Sequence, residues 1–304
     1  MVVVLPDMVK FWVILAALVP SLICSIFVLY HLLFDRALRR GLHNHVIIVL
    51  LVICLIDEVT FYPWMLYYFT HETDWQRSYM FCLFIGFIDW SLYIVHTMVF
   101  AWAMIERHIL IFHESWISTR RKRFLVHYVP LIALLLYWFV FYFVVYFFPP
   151  CENRFRPWSL ICIYPCLYDN YTLSMWDFIA HQIVPIAIIT VFSSGLILRV
   201  FLQKRRMRRA LNWQQHRKMI IQALSIAFLY VIILLPFTVV YIIRYIYGIS
   251  SYFIGAFYLY INFFTYFVIL LYPFVCALTL PELKTRMTRV LKLQWQTTRV
   301  MSIT

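Results

Sequence analysis

The sequence predicts an all-α membrane protein, a seven-transmembrane helix bundle with a short amphipathic eighth helix. Three observations predict it. Hydrophobic residues make up 64% of the 304-residue chain and charged residues 13%, against roughly 45–50% and about 25% in soluble domains. Seven apolar runs reach the ~20 residues that a bilayer-crossing helix needs. Basic residues collect in alternate connections between those runs. The same composition excludes disorder, because the chain is too apolar. With only 5 glycines, it also excludes collagen-like and Gly-rich phosphate-loop proteins.

The runs are 11–34, 46–69, 79–105, 124–148, 176–202, 219–247 and 252–280. All are far longer than the ~10 residues of a barrel strand, and most exceed the spanning minimum, so tilt is expected. They leave no room for a separate soluble domain, so 1–304 reads as one domain. The first run is too long for a cleavable signal peptide and lacks a small-residue cleavage site. It reads as the first span.

Charge orients the bundle. Arg36, Arg39 and Arg40 follow span one; Arg107 and Arg120 through Arg123 follow span three; Arg199, Lys204 and their neighbours to Lys218 follow span five; Lys284 to Arg299 follow span seven. Together these are 21 of the 26 basic residues. By the positive-inside rule the amino terminus lies outside and the carboxyl terminus in the cytoplasm. Every basic run abuts a span, so the charge marks membrane topology and not nucleic-acid binding. Asn170-Tyr171-Thr172 is an N-glycosylation acceptor in an outer loop. Cys24, Cys54 and Cys276 lie within spans, whereas Cys82, Cys151, Cys162 and Cys166 fall outside, in the oxidising compartment. Four cysteines allow three pairings of two bridges, and sequence leaves all three open.

Cys82 opens span three, and 25 positions later the span closes with Glu106-Arg107-His108. Trp75 lies seven residues before Cys82. Pro185, Pro236 and Pro273 sit within spans five, six and seven, and Tyr272-Pro273-Phe274-Val275-Cys276 precedes Pro281-Glu282-Leu283-Lys284. Over the whole chain this pattern resembles the rhodopsin-like class of G-protein-coupled receptors. Its run from Glu106 to His113 resembles divergent invertebrate orphan members. The resemblance implies a plasma-membrane receptor that binds an extracellular ligand, a cationic amine or small peptide, and activates a heterotrimeric G protein. It implies no enzymatic activity and no cofactor. It also implies that Cys82 bridges to the second outer loop, at Cys166 or Cys162. Glu106, Arg107, His108, Pro236, Tyr272 and Pro273 then serve coupling and activation.

The departures are specific. Span one lacks a Gly-Asn pair. Asp57 lies about two residues beyond the class's buried Asp. Leu234 replaces the span-six Trp, Ser193 the span-five Tyr, and Tyr272 and Cys276 the Asn and Tyr of span seven. Arg107 is expected to pair with adjacent Glu106 in the resting state. The inner end of span six offers His216, Arg217 and Lys218 but no acid, so no salt bridge to it is expected, and the resting state should be weakly locked.

Charge inside a span is costly and marks function. Asp89 lies two turns into span three, seven residues after Cys82, and a carboxylate there binds an ammonium by a charge-assisted bond. The resemblance places it where aminergic receptors bind their amine. Tyr93 is one turn deeper on the same face. Asn262 and Tyr266 share a face of span seven; His181 precedes Pro185 by four residues; Tyr241 follows Pro236 by five. These six residues are expected to line one cavity. Asp89 pairing within the bundle, with Tyr266 or an imidazole, is the bland alternative. His96 reads as a satisfied core histidine, and His31, His43, His45 and His127 as interfacial or loop residues. The tail 282–295 carries Leu283, Met287, Val290 and Leu291 at helical spacing among basic residues, an amphipathic helix on the inner leaflet.

A secondary transporter using Asp57, Glu58 and Asp89 is the rival reading, without the paired half-repeats that would favour it. A membrane zinc hydrolase lacks ligands at metal spacing. A retinal pigment needs a lysine in span seven, and none occurs from 252 to 280. The expected partners are a heterotrimeric G protein, the outer ligand and the lipid bilayer.

Overall fold

A computed structural model describes residues 5–71, 78–116, 118–156, 159–206, 213–247 and 252–280. Six helices are long and apolar enough to cross a membrane: α1 (Asp7–Phe34), α2 (Leu42–Thr70), α3 (Tyr79–Phe112), α4 (Arg120–Phe147), α5 (Tyr171–Leu202) and α6, which runs Trp213–Tyr247 and qualifies over Met219–Arg244. Two shorter helices, α7 (Tyr252–Thr265) and α8 (Phe267–Thr279), follow. They meet at a 41° bend and make a seventh crossing if counted as one. The tail 282–295 and Trp75 lie outside the described residues.

The break between α7 and α8 differs from the single run expected over 252–280. Its cause is local. The Tyr62 hydroxyl of α2 donates to the Tyr266 carbonyl at 2.7 Å, while the Leu270 amide, the helical donor to that carbonyl, stands at 3.5 Å. A side chain inserted into the helical ladder bends the helix. α4 and α5 each carry a π-helical stretch, at Phe124–Tyr128 and Phe178–Ile183.

α3 is the axis of the bundle. Within its apolar window 72% of residues are buried, against 17% in α4. Outward-facing residues of α4 such as Leu136 and Val140 are exposed aliphatics, as suits a surface turned to lipid. Ser78 caps α3, accepting from the Phe81 amide at 3.2 Å, which settles one of the amides that a helix start leaves unpaired. Small and polar residues hold α1 against its neighbours, the usual device where lipid removes the hydrophobic drive. Ser21 Oγ lies 2.5 Å from Glu58 Oε1 on α2 and 2.8 Å from the Leu270 carbonyl on α8. Ser25 Oγ lies 3.3 Å from the same Glu58 oxygen.

The segment between α4 and α5 forms a two-stranded antiparallel hairpin, β1 (Arg154–Phe155) with β2 (Ile163–Tyr164), in the register Arg154↔Tyr164 and Phe155↔Ile163. Disulfides Cys82–Cys162 and Cys151–Cys166 hold it. Of the two partners left open for Cys82, the fold selects Cys162. The first bridge ties the hairpin to the start of α3; the second closes its base. Gly86, one turn beyond Cys82, lets the hairpin approach. A Cβ there would stand 2.6 Å from Ile163 Cγ2 and 3.0 Å from Tyr146 Cε1.

Candidate functional site

Under the hairpin, at the disulfide end of the bundle, lies a cavity of about 490 Å³. Trp90 and Ile94 of α3, Tyr146 of α4, Gln182 of α5, Phe237 and Tyr241 of α6, and Asn262 and Tyr266 line it from the helices. Arg156, Ile161, Tyr164 and Tyr168 close it from the loop. A volume in the 300–1,000 Å³ range with an aromatic lining and few polar groups fits a small-molecule site. Burial pushes the Tyr168 hydroxyl above its ordinary titration range, and the nearby Asp177 carboxylate pushes it further. Tyr168 therefore remains a neutral phenol.

A deeper annex of about 50 Å³ adjoins this cavity and shares Trp90, Ile161, Phe237, Asn262 and Tyr266 with it. Asp89, Tyr93, Asp57, Tyr62 and Thr265 complete its walls. Asp57 and Asp89 are 3% and 7% exposed, and Asp57 Oδ1 has no hydrogen-bond partner. Asp89 makes no hydrogen bond to another side chain among the described residues, so the alternative of an Asp89 bond to Tyr266 or an imidazole is not what the fold adopts. Tyr93 stands 3.4 Å from Gln182, whose amide also donates to Thr238 at 3.0 Å.

Five of the six residues expected to share one cavity therefore do line this paired space: Asp89 and Tyr93 the annex, Tyr241 the outer chamber, Asn262 and Tyr266 both. His181 does not line it. Its Nδ1 lies 2.7 Å from Asp177 Oδ1, and its Nε2 lies 2.9 Å from the Tyr137 hydroxyl of α4. Tyr142 donates to the same Asp177 oxygen at 2.7 Å. The π-helical stretch Phe178–Ile183 contains His181 and ends just before Pro185, the residue from which its position is counted, and such a stretch changes the phase of a helix. His181 consequently faces α4, and Gln182 takes the cavity wall. Asp177, one helical turn before His181, was legible as an i, i+4 acid–histidine pair.

At the opposite end of α3, Glu106 and Arg107 are buried at 2% exposure each. The expected pairing of these two neighbours does not occur. Glu106 Oε1 pairs with His127 Nδ1 of α4, so His127 is a buried partner and not a loop residue. His127 continues to His45 at 3.3 Å, and His45 Nε2 lies 2.9 Å from the Arg39 carbonyl. Arg107 turns to α6. Its Nη1 donates to the Met219 carbonyl at 3.0 Å, and both terminal nitrogens lie 3.4 Å from Gln222 Oε1. This contact to α6 is a neutral latch, made by a backbone carbonyl and a side-chain amide. Adjacent helical residues point about 100° apart, so neighbours in sequence reach different helices. The sequence signal for Gln222 is that it is the one amide side chain in the apolar run 219–247.

His108 Nε2 lies 2.7 Å from the Phe192 carbonyl of α5. Tyr272 is fully buried, edge-on to His96 at 4.9 Å, and Pro236 and Pro273 lie inside α6 and α8. His96 is a satisfied core histidine, between Cys54 Sγ at 3.2 Å and the Tyr230 hydroxyl at 2.6 Å. Asn170 is exposed at the start of α5, where its side chain accepts from the Leu173 amide at 3.2 Å. No group of three or more His, Cys, Asp or Glu placed to hold a metal ion occurs among the described residues. No family model and no curated protein matches the chain.

Proposed function

We propose that the protein is a rhodopsin-like G-protein-coupled receptor of the plasma membrane, amino terminus outside, that binds a cationic amine or small peptide in the cavity under the hairpin. The observation that supports this best is the layout of α3. One helix carries a disulfide and a carboxylate-floored cavity at one end, and at the other a buried arginine hydrogen-bonded to α6. A ligand that binds one arrangement of the bundle better than another shifts its population. Breaking the Arg107–Gln222 latch frees the guanidinium and opens the basic end to a G protein. In this reading Arg107, Glu106 and His108 hold α3 to α6, α4 and α5 in the resting state, and Pro236, Tyr272 and Pro273 lie in the helices that move. The seven-span count treats α7 and α8 as one crossing. The amphipathic tail 282–295 and a glycan on Asn170 belong to the same proposal.

The test is a heterotrimer-dissociation reporter run across the G-protein families during a ligand screen, in cells with matched surface levels of wild type and Arg107→Ala. Dissociation in wild type that Arg107→Ala loses supports the receptor. No dissociation with any G protein, in either protein, overturns it.

A second reading, a secondary transporter, has one observation in its favour: Asp57 and Asp89 are both buried in the wall of one small annex. Intramembrane acids of this kind also serve proton relays. Cation-dependent solute uptake into vesicles holding the purified protein would favour it.

A further inference from the structure

We infer that the cavity takes an amphoteric ligand, with its cationic group seated at Asp89 and its anionic group held by Arg156 of the loop hairpin. The inference rests on the receptor's ligand cavity proposed above and adds the second charge.

The cavity carries opposite charges at its two ends. Its floor, the annex, holds two buried carboxyls, Asp57 and Asp89. Its mouth holds a guanidinium, Arg156. The other acid of the wall, Asp177, is already engaged by Tyr142 and His181. Arg156 is not engaged in this way. The neighbouring Arg154 is taken by Asp169 at 2.7 Å, whereas Arg156 has no carboxylate partner among the described residues and rests over the Tyr164 ring at 5.2 Å. Its backbone is held on both sides. The Arg156 amide donates to the Cys162 carbonyl at 2.9 Å, and the Ser159 amide donates to the Arg156 carbonyl at 3.1 Å. Cys162 is bonded to Cys82, so Arg156 is fixed at the level where α3 begins. With the backbone that carries it already ordered, binding has only the side chain of Arg156 to fix.

Asp89 lies seven residues beyond Cys82, about 10 Å along α3 at 1.5 Å per residue. About three extended residues span that distance at about 3.4 Å each. The annex, at about 50 Å³, holds an ammonium group or a few waters. Trp90, Phe237, Tyr241 and Tyr266 leave the length between the two charges aromatic. A carboxylate meeting a guanidinium gains a two-pronged, charge-assisted bond. A ligand with an ammonium at one end, an aromatic body and a carboxylate at the other matches all three zones. A short peptide with free termini is the simplest member of that class.

The test uses the purified full chain and three forms of one probe: the tripeptide phenylalanyl-alanyl-phenylalanine with free termini, its carboxamide and its N-acetylated acid. Binding is read by radioligand competition. The free tripeptide should bind about tenfold more tightly than either blocked form, one charge-assisted contact being worth about that factor. Arg156→Gln should erase the advantage over the carboxamide and leave the advantage over the acetylated form. Arg156→Lys should restore part of it. Asp89→Asn should do the converse. A mobility shift on reduction verifies that Cys82–Cys162 persists in each variant. Equal binding of acid and amide by wild type, an Arg156→Gln protein that still distinguishes them, or no binding of any form at millimolar concentration overturns the inference. Loss of G-protein dissociation would overturn the receptor reading and leave these binding ratios unchanged.

Discussion

Arg107 and Gln222, 115 positions apart, meet at 3.4 Å and tie α3 to α6. The acid beside Arg107 takes no part, because Glu106 is occupied by His127. The two bonds divide the basic end into two joints, one between α3 and α6, the other between α3 and α4. A neutral amide holding a guanidinium is weaker than a carboxylate would be, so the proposed receptor reading assigns opening to the first joint.

Gln222→Ala should raise ligand-independent heterotrimer dissociation severalfold at matched surface expression, since it removes a hydrogen bond to a charged group worth about 1.5–3 kcal/mol. Gln222→Glu should lower it by supplying the missing salt bridge. Basal signals unchanged in both variants would show that this contact does not govern the equilibrium.

His127→Ala leaves the Glu106 carboxyl buried without its partner. Leaving a buried polar group without its partner costs about 1–3 kcal/mol, more for a charged group. The detergent-purified variant should melt well below wild type in a thermal-unfolding assay, and His127→Gln, which keeps a donor, should lose less. Equal melting of all three would place the pair among contacts of no consequence for stability.

Gly86→Ala should destabilise the hairpin end by about 1–3 kcal/mol, the usual range for overpacking, because the new methyl meets Ile163 Cγ2 at 2.6 Å. Gly195→Ala is the control. Its Cβ would meet only the edge of His108 at 3.5 Å, and helix propensity favours the change. The measurement is surface yield together with melting temperature, and the two variants should separate clearly.

Asn170 caps a helix start and, in the proposed reading, also carries a glycan; a pair of variants can part the two. Its Oδ1 caps the turn at Leu173, whereas a glycan would attach at Nδ2. Thr172→Ala destroys the acceptor and keeps the cap; Asn170→Ala destroys both. Both should lose a glycosidase-sensitive mobility shift, while only Asn170→Ala should lose about 1 kcal/mol of local stability. A mobility unchanged by either substitution would remove the glycan and the outer placement of this loop.

How much of this was legible depends on range. Helix boundaries, basic runs and the set of four outer cysteines follow from composition within one segment, and the helices largely coincide with the apolar runs. Asp89 and Tyr93 were readable because their spacing along one helix sets a shared face; Asn262 and Tyr266, on either side of the end of α7, still reach the same cavity. His181 failed because the π-helical stretch shifts the phase that counting from Pro185 assumes. The bend at Tyr266 failed because its cause is a hydroxyl from α2.

The sequence by itself determined that this chain builds apolar helices long enough to cross a membrane, since burying backbone amides in lipid demands local helical pairing. Only the tertiary structure decided which partner each polar group takes: Cys162 over Cys166 for Cys82, His127 for Glu106, Gln222 for Arg107. Those partners lie 21 to 115 positions away. Several chemically equivalent candidates exist for each. Packing geometry, which no single segment carries, selects among them.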